Sequence, residues 1–330
     1  MSAGTAPASA PPSAGAAATK GPVAAPRSRS ERTTEALAGY GFIAIPLILF
    51  VLLNIGAIAY AAYISVFDWK VRGGAGDFLG LQNYQALLND RIFQKAIWNT
   101  VTYTLIVVPC QMALGLFLAV IVNAKIRGRT FFRAAFYFPA IASSAAITVL
   151  FIFLLQPDGL FNDARAALGL NPLFEALGFS AQHNWLGNVS TALGSIMVLN
   201  IWTTSGTMML FYLASLQTIP EVIYEAATID GATTWQSFWR ITFPLLKPGH
   251  FFVATVSVIG ALQVFDQAYI GGGSNGDPDY SLMSIVLYLY NAAFKQVNLD
   301  YAAAVGIVLF LIIFSATVVQ RKLFGNTEAA

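Results

Sequence analysis

Apolar residues in this chain gather into long runs rather than short alternating stretches. Six runs, over residues 42–66, 98–123, 134–155, 191–213, 251–270 and 302–319, are each long enough to form one membrane-crossing helix. A hydrocarbon layer about 30 Å thick takes about 20 helical residues. Runs of this length predict an all-α, polytopic membrane protein with six transmembrane helices. A β-barrel would instead alternate over segments of about ten residues. Pro46, Pro109 and Pro139 fall inside runs, which membrane helices tolerate when neighbours satisfy the freed carbonyls. The connections over 67–97 and 156–190 are polar, carry Trp69, Tyr84 and Trp185, and are expected to hold short helices.

The polar connection between the fourth and fifth runs carries more structure than a link needs. Thr218 with Glu221 three residues on has the form of a capping box, with Pro220 in the first turn. Helix formers follow through Glu225, Ala226 and Ala227. Gly231 then suits a helix C-terminus, since glycine takes the left-handed conformation without strain. Thr233 with Gln236 forms a second capping box. Trp235, Phe238 and Trp239 recur at i, i+3, i+4 and are expected on one helix face, with Pro244 ending that turn. By itself this pattern fits either a surface helix lying in the membrane interface or a docking element.

The stretch resembles the EAA loop of ABC-importer membrane subunits. In that family Glu-Ala-Ala is followed after three residues by Gly, after nine more by Ile, and after one more by Leu-Pro. Here Glu225, Ala226, Ala227, Gly231, Ile241 and Pro244 stand at that spacing, with Phe243 in place of Leu. Asp230, Ala232, Phe238 and Pro248 extend the match toward the carbohydrate-uptake branch, of maltose-permease type. Weaker likenesses run from about Tyr40 to Phe324 and include Asn99-Thr100, Phe132-Arg133 and Phe138-Pro139. After Tyr269 the chain departs from the family, passing directly to Gly271-Gly272-Gly273-Ser274.

The resemblance implies the transmembrane-domain fold of a type I ABC importer over 40–324, with a cytoplasmic coupling loop at 218–248. Glu225, Ala226, Ala227, Asp230, Gly231, Ala232, Phe238, Ile241 and Pro244 would dock on an ATPase. The implied partners are a second homologous permease subunit in a heterodimer, two ATP-binding cassette subunits and an extracytoplasmic solute-binding protein. A sugar would be the substrate, in a lipid bilayer and with no nucleic acid.

Composition agrees with a membrane chain. Residues are 57% hydrophobic and 10% charged, against about 25% charged in average soluble domains. With six spans and both termini inside, the internal segments hold twelve Lys/Arg and the external ones six. The connection over 124–133 alone carries Lys125, Arg127, Arg129 and Arg133. The positive-inside rule then predicts a multi-pass protein of the cytoplasmic membrane with both termini cytoplasmic and the Glu225 connection on the same side. Residues 1–39 are rich in Ala, Pro, Ser and Gly and read as a disordered cytoplasmic tail, with 325–330 a short C-terminal one. Cys110, the single cysteine, lies in an apolar run and has no disulfide partner.

No lysine is preceded by glycine, so no Walker A loop is present. Any ATP and Mg are expected on partner chains, and this chain is expected to bind no cofactor or metal and to be no enzyme. His183 and His250 lack ligand spacing. For the transport path, Asp266 is the acid placed inside a run, with Gln263 and Tyr269 one turn to either side. Amide, carboxylate and aromatic ring together suit a sugar's hydroxyls and C–H faces. Asn200 and Trp202 on the fourth run are further candidates. Asp266 reaching outer water, or Asn200, Thr203 and Thr204 bonding neighbouring helices, explains the same residues without a substrate. The leading function is a permease subunit of a binding-protein-dependent sugar or oligosaccharide importer. The alternatives are the same machinery for glycerol phosphate or another polyol, and an autonomous secondary transporter or channel.

Overall fold

The computed structural model describes residues 29–324 apart from Val71, Lys125 and Ile126. The predicted tails therefore lie outside the described residues over 1–28 and 325–330, and Lys125 of the basic connection does too. The N-terminal boundary is corrected: the chain is already helical from Arg29. The ten residues from Arg29 to Ala38 contain no Gly or Pro and are mostly good helix formers, unlike the segment before them.

The chain divides into two compact units, Met1–Ala57 and Ile58–Ala330. The described part of the first is α1 (Arg29–Phe50), a wide π turn (Val51–Ile55) and the start of α2 (Gly56–Ile64). The second unit continues through a two-stranded hairpin, β1 (Phe67–Lys70) and β2 (Gly74–Phe78), and then α3 (Gln82–Asn89) and α4 (Arg91–Asn123). Next come α5 (Arg129–Ile141), α6 (Ser144–Leu154), α7 (Leu160–Ala167), α8 (Asn171–Ala176) and α9 (Ala192–Leu216). The remaining elements are α10 (Glu221–Ile229), α11 (Thr234–Ser237), α12 (Phe243–Leu245), α13 (Lys247–Leu262), α14 (Asp266–Gly272), α15 (Ile285–Tyr290) and α16 (Leu299–Phe324). The fold is all-α apart from the hairpin, where Phe67 pairs with Phe78 and Trp69 with Ala75. Among the described residues five spans are long and apolar enough to cross a membrane: Gly39–Ile64, Arg91–Asn123, Ala192–Leu216, Lys247–Gly272 and Leu299–Lys322. Counted as one bent span, the pair α5 and α6 makes a sixth.

Two of the predicted spans are not simple rods. The third turns by 90° between α5 and α6, where Ala142 and Ser143 leave helical geometry. The fifth breaks over Gln263–Phe265 before restarting at Asp266. Freed backbone groups in a membrane need internal partners, and one is visible in the fifth span. Ser284 Oγ donates to the Val264 carbonyl at 2.7 Å and accepts from Leu287 N at the start of α15. Gln267 Nε2 donates to Ser144 Oγ at 3.0 Å, joining the restarted helices of the two spans.

The core runs along α4, α9 and α13. Leu116, Ala119, Met209, Tyr212, Leu246 and Val253 are buried together at one end, and Tyr103, Val107, Ile196 and Ala261 at the other. Small residues set the spacing, as is usual between membrane helices. A Cβ on Gly115 would stand 2.6 Å from Met208 Cβ, and one on Gly206 would stand 2.4 Å from the Phe136 carbonyl oxygen.

Polar networks tie the ends of the spans. Asp90 caps α4 through Ile92 N and Phe93 N and accepts from the Tyr288 hydroxyl at 2.7 Å. Burial pushes the Asp90 carboxyl up, and the bonds from Tyr288, Phe93, Ile92 and Tyr301 together outweigh it, so its pKa falls below the ordinary value. Asn83 donates to the Ser65 carbonyl and to Asp300 Oδ2. Asn99 donates to the Tyr280 and Met283 carbonyls, and Thr100 Oγ1 accepts from Ile285 N. The segment holding α7 and α8 closes around Arg165, which is 3% exposed. Its guanidinium donates to Asn171 Oδ1 and to the Ser180 and Ala181 carbonyls, and lies over the rings of Phe174 and Trp185. His183 Nε2 meets Thr191 Oγ1 at 3.1 Å. The Thr191 hydroxyl donates to the Trp185 carbonyl, so neutral His183 is the donor to it. Desolvation first, and the nearby Arg165 second, hold the His183 pKa below its ordinary value.

Three outcomes are expected. Gly115→Val overpacks the seam with Met208 and costs about 1–3 kcal/mol, which would be read as a smaller folded fraction after heating in detergent. Gly194→Ala, with nothing within 4 Å of the new Cβ, leaves that fraction unchanged or slightly raised. Because the folded His183 pKa is depressed, the unfolded segment binds more protons. Stability is therefore full above the ordinary value of 6.5 and is lost as pH falls from there toward the folded value. Trp185 fluorescence followed on acidification should report that loss, and His183→Gln should flatten it.

Candidate functional site

The connection between the fourth and fifth spans forms the two-helix element that its sequence predicts, with two local differences. The first capping box does not form: Pro220 is the N-cap residue of α10, and the Thr218 hydroxyl donates back to the Ser215 carbonyl at 2.8 Å. Thr218 lies two residues before the N-cap, and its hydroxyl closes the end of α9 rather than opening α10. The second box is present, with Gln236 N donating to Thr233 Oγ1 and Thr233 N to Gln236 Oε1.

Between them the spacing of Glu225-Ala226-Ala227 to Gly231 has a geometric reason. Gly231 sits at φ +76°. Its N–H bonds the Thr228 carbonyl at 3.1 Å, and the Ala232 N–H bonds the Ala227 carbonyl at 2.9 Å. This pair of bonds is a Schellman motif, which closes a helix when a glycine follows its last residues. Ala227 is buried under the turn and Ala232 half-buried, while Glu225, Ala226, Asp230 and Gly231 are exposed.

The aromatic stripe is divided rather than lying on one face. Phe238 packs inward on the α4–α9–α13 core. Trp235 stays 71% exposed, as do Val222 at 69% and Ile229 at 86%. Trp239 bridges the two groups, with ring centres 5.6 Å from Trp235 and 5.1 Å from Phe238. After α11 the helix widens into a π turn over Phe238–Thr242. Half-buried Ile241 lies in that turn. Pro244 opens the short α12 instead of ending a turn, because its missing N–H is harmless in a first turn. The element thus has a fixed inner side and an apolar outer side beside the exposed carboxylates of Glu225 and Asp230.

The five path candidates lie in different surroundings. Asn200 is half-buried, and its carbonyl accepts from Thr203 Oγ1. Trp202 is 44% exposed and packs on Phe151. The expected helical stripe of Gln263, Asp266 and Tyr269 is interrupted, since the break falls between the first two. Gln263 and Asp266 are exposed, and Tyr269 stacks on Phe265 and meets Tyr290. The structure instead brings Ser144, Thr203, Thr204, Thr207 and Gln267 around a cavity of about 140 Å³ beside the bend of the third span. Thr204 Oγ1 lies 2.6 Å from Gln111 Oε1. Gln267 and Ser144 were not singled out by the sequence. A serine next to a predicted span centre gives no signal until a second helix presents an amide to it. Among the described residues no three His, Cys, Asp or Glu side chains stand close enough to hold a metal ion.

Comparison with known proteins places this geometry. The family model described as "Binding-protein-dependent transport system inner membrane component" matches residues 111–325. The chain is 34% identical over 283 residues to the probable ABC transporter permease protein YurN of Bacillus subtilis, covering 85% of this chain and 94% of that one. It is 36% identical over 292 residues to the multiple sugar-binding transport system permease protein MsmF of Streptococcus mutans, covering 88% and 96%. Among solved structures, a chain of a bacterial alginate ABC transporter crystallised with an alginate pentasaccharide-bound periplasmic protein superposes with a TM-score of 0.74. That match is 20% identical in sequence and covers 89% of this chain and 96% of that one, so the fold is shared. The chain belongs to the family of binding-protein-dependent transport system inner membrane components.

Proposed function

We propose that the chain is one of two related membrane-spanning subunits of an ATP-driven importer and passes a sugar or oligosaccharide across the cytoplasmic membrane. The observation that carries this reading is the docking element at Glu225, capped at Thr233, closed at Gly231 and exposing Val222, Ile229 and Trp235. Such a face suits a groove on an ATPase subunit, and the chain has no Gly-Lys pair with which to hold ATP itself. The excess of internal Lys/Arg supports a cytoplasmic position for this element and for both termini. A second permease, two ATPases and an extracytoplasmic binding protein complete the assembly, since six spans are too few to enclose a path alone.

Sugar as cargo draws on two supports. Relatives are named for multiple-sugar and arabinooligosaccharide transport. The cavity at the bend presents hydroxyls and amides with no basic lining residue, which suits a neutral polyhydroxyl ligand better than a phosphate ester. Thr203, Thr204 and Gln267 join Asn200 and Trp202 as contacts along that path.

The chain alone in liposomes is expected to take up no labelled oligosaccharide, while the complex with ATPases, binding protein and ATP does. Uptake by the isolated chain along an ion gradient would sink this reading in favour of a secondary transporter. Glu225→Lys is expected to insert normally but to lose ATPase co-purification. Gly231→Ala meets open space and suffers only the left-handed backbone cost of about 1–2 kcal/mol, so it weakens co-purification without abolishing it.

A further inference from the structure

His250 is one of the two histidines in the chain, is 8% exposed, and is left without a task by the docking and path readings. It lies at the start of α13, directly after the docking element. Its Nε2 meets the Phe243 carbonyl at 3.3 Å, and its Nδ1 meets the Tyr212 hydroxyl of α9 at 3.0 Å. A carbonyl can only accept, so Nε2 carries the proton. In the neutral ring Nδ1 then accepts from Tyr212. Both ring nitrogens are thus used, one toward the docking element and one toward the fourth span. The ring also packs between its partners, with centres 4.6 Å from Phe243 and 5.4 Å from Tyr212.

The neighbouring contacts leave little play. Gly249 lets α13 and α9 touch, because a Cβ there would stand 2.6 Å from Ser215 Oγ. Tyr224, beside Glu225, meets the buried Thr242 hydroxyl at 3.0 Å. A continuous set of contacts therefore runs from α10 through Thr242 and Phe243 to His250 and on to Tyr212. Tyr212 lies eight residues along α9 from Thr204, about 12 Å at the helical rise.

We propose that His250 is a positioning residue: a strut that fixes the docking element to the fourth span, so that displacement at Glu225 moves the cavity-lining face of α9. A flexible joint here would let the docking element move without α9. The two hydrogen bonds and the glycine contact make the seam stiff where the lever meets the span. This inference rests on the importer reading above.

The test uses the assembled transporter in proteoliposomes and reads sugar imported per ATP hydrolysed. Tyr212→Phe removes one hydroxyl and keeps the ring. His250→Leu removes both bonds, and His250→Gln keeps one donor and one acceptor. ATPase co-purification is expected to stay at the wild-type level in all three. Sugar per ATP should fall about three- to tenfold in Y212F and H250L. The double variant should be no worse than H250L, because both changes cut the same strut, and H250Q should recover most of the ratio. An unchanged ratio in Y212F and H250L, or additive losses in the double variant, overturns the strut. If H250L lowers the yield of complex, Y212F decides alone. A wild-type assembly that hydrolyses ATP without importing sugar would instead defeat the importer reading itself, which separates the two failures.

Discussion

Backbone N–H and C=O groups inside an apolar layer have no water to turn to, and the arrangement of this bundle follows from that constraint. The third and fifth spans both leave helical geometry partway along, which would cost several kcal/mol per exposed group in lipid. At the break of the fifth span another element supplies a partner. Ser284 reaches the carbonyl freed at Val264. Gln267, one residue into the restarted helix of the fifth span, reaches Ser144, the first residue of the restarted helix of the third. That side-chain bond joins the two interrupted spans, and both of its partners line the polar cavity.

The same constraint explains why the remaining seams are tight. Helices that gain nothing from hydrophobic exclusion must associate through close contact and hydrogen bonds. Gly115 against Met208, Gly206 against the Phe136 carbonyl, and Gly249 against Ser215 supply the contact. Asn83 with Asp300, and Asp90 with Tyr288, supply the bonds at the span ends. In the same way the cationic Arg165 has carbonyls, an amide and two ring faces around it in place of a carboxylate.

At the Glu225 element local and long-range effects divide the work. Its turn is closed locally, by glycine at φ +76° and two backbone bonds. Its attachment is not local. Phe238 is drawn into the core from the stripe it shares with Trp235, and Tyr224 and His250 find partners 18 and 38 residues away in sequence. An element with one rigid local fold and one fixed attachment can transmit displacement, whereas a plain loop would absorb it.

The sequence by itself determined the place and order of the apolar helices, the second helix cap, and the glycine turn after Glu225-Ala226-Ala227. Each of these depends on residues within a turn or within one apolar run, so each is written contiguously. It put the N-terminal helix start too late, and it did not show that Thr218 turns back to Ser215 or that Phe238 leaves its stripe for the core, since both depend on neighbours. It could not show the bend at Ala142-Ser143 or the interruption before Asp266, because nothing in those residues forbids a continuous helix. Their geometry depends on Gln267 and Ser284, which lie far along the chain or on another span. The polar path was legible only as a list of candidates. Which of them meet was decided by the tertiary structure, since a broken helix turns residues one predicted turn apart toward different surroundings.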